Sequence, residues 1–181
     1  STAEKMITLG KTLGLVGFGR IAQKVAEIGH AFGMKVIFYN HRPKNVKAEW
    51  LQQVSLNELL SQSDVVSLHV PQTPDTKELI NSSSLQKMKN TGILINTARG
   101  GLINEADLAE ALNNEQLAVA AMDVAQQEPI NEDSPLLAAK NCYITPHIAW
   151  APQETRKRLL DIVASNLTEF LAGRKQNTVT S

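Results

Sequence analysis

The sequence predicts an α/β protein in which a doubly wound parallel sheet lies between two layers of helix. Three observations carry that reading. Apolar, strand-like runs alternate with helical patterns almost from end to end, the order expected of successive βαβ units with right-handed crossovers. Most strand runs are continuous rather than alternating, as in strands covered on both faces. The 181 residues, 43% hydrophobic, suffice for one domain with a substantial core and not for two large ones.

The elements follow in order. Strands are expected at 13–16, 35–39, 65–69, 93–96, 117–121 and 142–145. The helix at 20–32 places Ile21, Val25, Ile28 and Phe32 on one side. A short helix at 56–61 precedes Asp64, and another at 104–112 opens on Asn104 as its N-cap. Residues 126–138 form the longest polar, proline-marked connection, a place where function tends to sit. After Pro152 a helix spans 154–172 and ends at Gly173. Its stripe of Leu159, Ile162, Val163, Leu167 and Phe170 is read as ordinary core packing. Residues 1–12 are polar and lead into the first strand as the end of a connection.

The most informative stretch is 12–22, TLGLVGFGRIA, a strand running into a glycine-rich turn and then a helix. Gly17 suits a tight turn out of the strand, Gly19 lets the backbone approach a pyrophosphate, and Ala22 allows close helix packing. The helix that follows directs its N–H groups and positive dipole end at the phosphates. With a strand before and a helix after, this is the dinucleotide fingerprint, and the fold is expected to be Rossmann-type, three-layer αβα, over 1–181.

Bulk properties narrow the class. Lys+Arg and Asp+Glu are 18 each, so nothing points to nucleic acid. The single cysteine, Cys142, allows no disulfide framework or zinc spacing, and no metal site is expected. No apolar run approaches 18 residues and no signal-peptide pattern opens the chain, so a cytoplasmic protein with no membrane partner is expected.

Four further clusters stand where strands end. HVPQTPDT at 69–76 makes a stiff rim at a carboxyl end, where ligands bind in such sheets. ILINTARGG at 93–101 ends in Arg99, poised to grip a carboxylate through two hydrogen bonds. Asp123 and Glu128 follow the next strand in MDVAQQEP, and His147 follows the last in ITPHIAW. Singly these residues have ordinary readings as salt-bridge partners, loop carboxylates or a strand-end histidine. Their order on one sheet, behind a glycine turn, favours a site. His30, His41 and His69 lack such company, and His69 is read as structural.

Together GFGRIA, NTARGG, DVAQQEP and TPHIA resemble the D-isomer-specific 2-hydroxyacid dehydrogenases in order and approximate spacing, over essentially the whole chain. HIAWA looks most like the glycerate dehydrogenase/hydroxypyruvate reductase branch. The resemblance implies hydride transfer between nicotinamide and a small 2-oxo or 2-hydroxy acid, such as hydroxypyruvate or glyoxylate. An imidazole exchanges protons near neutral pH, which makes His147 the acid in reduction and the base in oxidation. Glu128 would favour the protonated imidazole, and Arg99 would bind the substrate carboxylate and polarise the carbonyl. Cofactor contacts are expected from Gly17, Gly19, Arg20, Ile21, Asn40, His41, Arg42, Val70, Pro71, Thr76, Thr97, Ala98, Asp123 and Ala149, with Asp123 near the nicotinamide carboxamide. Ala125 stands where the family commonly has an aromatic residue, so the loop to Glu128 is expected to pack differently.

The cofactor is NAD or NADP. Asn40 occupies the position where the family usually has aspartate, and Arg42 or Lys44 could pair with a 2′-phosphate. The alternative is that Asn40 bonds the plain ribose and the two cations are solvated. Family members also carry a second domain that closes the substrate cleft, and a dimerisation arm; neither has a counterpart here. The expectation is a fragment that binds dinucleotide with little turnover, from a longer, homodimeric enzyme. The rival reading is a non-enzymatic dinucleotide sensor similar to corepressors of the same family.

Overall fold

The computed structural model describes residues 8–178; the start of the polar lead, residues 1–7, lies outside them. Two compact units divide between Pro146 and His147. In the first, β1 (Thr12–Val16) runs into α1 (Arg20–Ala31), followed by β2 (Lys35–Tyr39), β3 (Leu51–Gln53), α2 (Leu56–Gln62) and β4 (Val65–Leu68). Then come α3 (Ser82–Leu85), β5 (Ile93–Asn96), α4 (Glu105–Asn113), β6 (Val119–Met122) and β7 (Cys142–Ile144), with short 3-10 turns at Gly100–Leu102 and Pro135–Ala138. All pairings are parallel, in the order β3-β2-β1-β4-β5-β6-β7. The chain therefore reverses its direction of winding between β1 and β4, which opens a crevice at their carboxyl ends.

Alternation along the strands builds two cores. Leu13 and Leu15 of β1, with Val36 and Phe38 of β2, pack against Ala22 and Ala26 of α1. Val16 and Ile37, one residue out of phase, join the other layer with Leu59, Leu60, Leu68, Leu94 and Leu108. This is the three-layer Rossmann-type arrangement. Helix starts follow local chemistry: Ser55 and Glu58 form a reciprocal capping box on α2, and the Asn104 side chain accepts from Asp107 N at 3.0 Å to open α4.

Three expectations change. β3 was not foreseen, because LQQ carries no apolar run; it is a three-residue edge strand beside β2. β6 begins two residues later than expected, since a continuous apolar run does not mark where pairing starts. The large apolar residues of α1 are not its core face: Ile21, Ile28 and Phe32 are 72%, 56% and 63% exposed. The helix lies close to the sheet, so the fully buried positions are the small Ala22, Ala26 and Gly29, and of the expected stripe only Val25 packs partly against that core.

In the second unit, α5 (Gln153–Leu171) begins after Pro152 and ends before Gly173, which takes φ +72°. Within this unit the expected core packing of its apolar stripe is not found: no residue of the helix is buried, and Leu159, Leu167 and Phe170 are exposed. Among the described residues of this unit no second helix or strand accompanies it to cover that stripe.

Candidate functional site

A cavity of about 710 Å³ opens where β1 and β4 turn away from each other. Three expected groups line it. Gly19, Arg20 and Ile21 come from the glycine turn, Val70 and Pro71 from the exit of β4, and Thr97, Ala98 and Arg99 from the exit of β5. His69, directly after β4, also lines it. Its Nε2 lies 3.0 Å from Ser67 Oγ, and burial pushes the imidazole below its ordinary pKa, toward the neutral form.

The glycine turn fits a diphosphate on its own geometry. Gly17 takes φ +94°, and a Cβ there would stand 2.8 Å from the His69 carbonyl oxygen. A Cβ on Gly19 would meet nothing within 4 Å. No side chain caps α1 at Gly19, and its first turn holds no acid. Main-chain N–H groups and the positive end of the helix dipole thus face the cavity without a competing carboxylate. The turn is also tied to β2: Gly17 N donates to Tyr39 O at 2.8 Å, and Phe18 N to Asn40 Oδ1 at 3.3 Å.

The other expected cofactor residues of the first unit are not among those lining this cavity. Asn40 is half-buried at the end of β2, whereas His41 and Arg42 are exposed just beyond it. Thr76 Oγ1 donates to Pro71 O at 2.7 Å and accepts from Thr73 N at 2.8 Å, which folds the HVPQTPDT rim on itself. Asp123 is 5% exposed and accepts from Thr145 Oγ1 at 2.5 Å.

The Arg99 turn is shaped by a residue the sequence reading passed over. Asn96, fully buried at the end of β5, donates from Nδ2 to Arg99 O at 2.9 Å and accepts at Oδ1 from Ala98 N at 3.0 Å. An asparagine closing an otherwise apolar strand was the available signal. The Arg99 guanidinium is exposed and donates to Ala98 O at 2.6 Å.

Arg99 and the Glu128 loop meet through Gly100. A Cβ there would lie 1.9 Å from Ala125 C and O, so only glycine lets the two backbones touch. The loop is seated by Gln126, whose N–H donates to Glu105 Oε1 and whose Nε2 donates to Ile103 O, both at 2.7 Å. Glu105 Oε2 also accepts from Ser134 Oγ at 2.8 Å, and Glu128 Oε1 accepts from Ala125 N at 3.2 Å. The absence of an aromatic residue at Ala125 thus accompanies a main-chain contact and a glutamine anchor.

His147 opens the second unit, three residues past the end of β7. It is half-buried and holds φ +53°, a strained value for a residue with a side chain. Trp150 Nε1 donates to the His147 carbonyl at 2.7 Å, closing the turn that also carries Ala149. Among the described residues, no helix is long and apolar enough to cross a membrane, and no three His, Cys, Asp or Glu side chains gather as a metal site.

A parallel sheet with a glycine turn and an uncapped helix start at its switch point, and an arginine at the neighbouring strand end, defines a dinucleotide-binding domain. The chain belongs to the D-isomer specific 2-hydroxyacid dehydrogenase family, whose NAD binding domain its residues 3–149 match. A hydroxypyruvate reductase of Blautia hydrogenotrophica is 50% identical over 171 residues, covering 94% of this chain and 53% of the relative. Among solved structures, an acyclic imino acid reductase in complex with NADPH and D-Arg superposes with a TM-score of 0.87 at 37% identity, covering 96% of this chain and 55% of that one. The NAD-complexed D-isomer specific 2-hydroxyacid dehydrogenase of Lactobacillus delbrueckii ssp. bulgaricus does so at 0.83 and 28%, covering 94% and 56%. The chain spans about half the length of the relatives it matches.

Proposed function

We propose that this chain is the coenzyme-holding portion of an NAD(P)-dependent D-2-hydroxyacid dehydrogenase acting on a small 2-oxo or 2-hydroxy acid, such as hydroxypyruvate/glycerate or glyoxylate. The observation that supports this best is the cavity at the β1/β4 switch point. It joins an uncapped helix end at Gly19 to a rim that carries Arg99.

The nicotinamide coenzyme, when bound, supplies the hydride. The chain's residues do the rest. Gly17, Gly19 and the first N–H groups of α1 hold the diphosphate. Arg99 binds the substrate carboxylate and stabilises charge as it develops on the carbonyl oxygen. His147 exchanges the proton at that oxygen, and Glu128 steadies its protonated form. At the adenosine end, Asn40 brings no carboxylate against a 2′-phosphate, and exposed Arg42 and Lys44 can pair with one, which supports NADPH.

Two measurements test the reading. The chain should bind NADH or NADPH in a titration, with NADPH at least as tight; an NADH preference of about tenfold or more overturns the NADPH assignment. Completed by the remaining half of its relatives' length, it should reduce glyoxylate or hydroxypyruvate, and His147→Ala should cut kcat by about two to four orders of magnitude. Coenzyme binding with no reduction of any small 2-oxo acid would transfer the chain to the sensor class.

A further inference from the structure

We propose that Gln53 is a specificity-determining positioning residue for the coenzyme's adenosine end. It fixes the turn that leaves β2 as a cationic rim suited to a phosphomonoester on the ribose. The inference rests on the dinucleotide reading above and deepens it.

Gln53 reaches this turn from the edge strand β3 and spends its whole amide there. Nε2 donates to Asn40 O at 3.1 Å and to Arg42 O at 3.3 Å, while Oε1 accepts from Lys44 N at 2.8 Å. The Arg42 carbonyl is gripped a second time, by Asn40 Nδ2 at 2.8 Å. Asn40 Oδ1 in turn accepts from Phe18 N inside the glycine turn. Gln53 thus holds the main chain of the turn at 40–44, while the separate link from this turn to the glycine turn is made by the Asn40 side chain.

Two consequences follow. The Asn40 amide is engaged at both ends, with Phe18 and Arg42, and it carries no charge. It is poorly placed to act as the acidic partner that selects free ribose hydroxyls. The segment 40–48, NHRPKNVKA, holds Arg42, Lys44 and Lys47 and no acid. A loop that must order itself around a phosphate loses affinity to that ordering, whereas one held in advance does not. Gln53 supplies the holding at the main chain, which leaves the Arg42 and Lys44 side chains exposed to meet the phosphate. Gln53 is thereby assigned to the phosphomonoester and not to the diphosphate, which α1 already serves.

The test is titration calorimetry of this chain with NADPH and NADH, and with the nicotinamide-free pair 2′-phospho-ADP-ribose and ADP-ribose. Gln53→Met, similar in length but without hydrogen bonds, should weaken the two phosphorylated ligands about tenfold and the others less than about twofold. Arg42→Gln, at an exposed site, should give the same selective loss, and combining the two should add little. Equal weakening of all four ligands by Gln53→Met, or no weakening, overturns the assignment, as does an unmodified chain that prefers the unphosphorylated pair. If the unmodified chain binds none of the four, the dinucleotide reading fails first and takes this one with it.

Discussion

The turns after β1 and after β5 reach the same cavity by opposite means. The first is made receptive by what it lacks: Gly17 and Gly19 carry no side chains, and α1 has no capping residue or first-turn acid. The second is made rigid by what converges on it. Asn96 clasps the Arg99 turn from within, and Gly100 admits the backbone of the Glu128 loop. A main-chain cradle for phosphate needs exposed N–H groups, whereas an arginine proposed to bind a carboxylate needs its base held and its guanidinium exposed. The two turns should therefore fail differently when damaged.

The largest expected effect is at Gly17. Alanine there faces two costs at once, a φ of +94° and a Cβ 2.8 Å from both the His69 carbonyl oxygen and Val70 Cγ1. Strain and overpacking together should remove about 2–4 kcal/mol of stability. Coenzyme binding should fall below detection, because the diphosphate loses its seat. Urea unfolding and a NADPH titration check both; a variant that binds normally would show that the cradle lies elsewhere.

Gly100→Ala carries no positive-φ cost, but its Cβ would meet the Ala125 backbone at 1.9 Å and must displace the anchored Glu128 loop, an overpacking loss of about 1–3 kcal/mol. Its signature is functional asymmetry. Binding of the coenzyme should survive within a fewfold while the Glu128 loop shifts, visible as changed amide NMR signals over residues 125–128. Equal loss of coenzyme binding would mean that the two turns are one cooperative piece.

Much of this contrast was legible in the sequence, but unevenly. The glycine turn could be read because its requirements are local, spaced within a few residues of one strand end. Arg99, Glu128 and His147 could be named because each follows an apolar run. What joins them could not. The Gly100–Ala125 contact spans 25 positions, and Gln53 grips a turn nine to thirteen positions earlier from a strand too polar to announce itself. The faces of α1 were obscured for a different reason. Hydrophobic periodicity finds a helix, yet close packing on the sheet selects Ala22, Ala26 and Gly29 over the larger residues the period highlights.

Asn96→Ala isolates the clasp from the steric contact. It leaves Ala98 N and Arg99 O without their partner, for a loss of about 1–2 kcal/mol measured by thermal unfolding. The cavity's glycine side should not notice, so coenzyme affinity should stay within about twofold. If Arg99 binds the substrate carboxylate as proposed, 2-oxo acid reduction by the chain joined to the remaining half of its relatives' length should show a raised KM, with the arginine held on a looser base.

The smallest effect tests Glu105, which anchors the Glu128 loop from outside through Gln126 and Ser134. Its charge also bears on Cys142, whose thiol is pushed up from 9.0 to about 11, chiefly by burial and secondarily by Glu105. At pH 8 that shift leaves about a hundredfold less thiolate than in a free thiol, so alkylation by iodoacetamide should be correspondingly slow and should climb only toward pH 11. Glu105→Gln removes the negative charge while keeping an acceptor for the Gln126 N–H. It should lower the thiol's pKa modestly and speed alkylation a fewfold, with the coenzyme affinity unchanged. Acceleration as large as that on unfolding would show instead that the charge holds the Glu128 loop closed over its side of the sheet, and that the anchor matters more than the field.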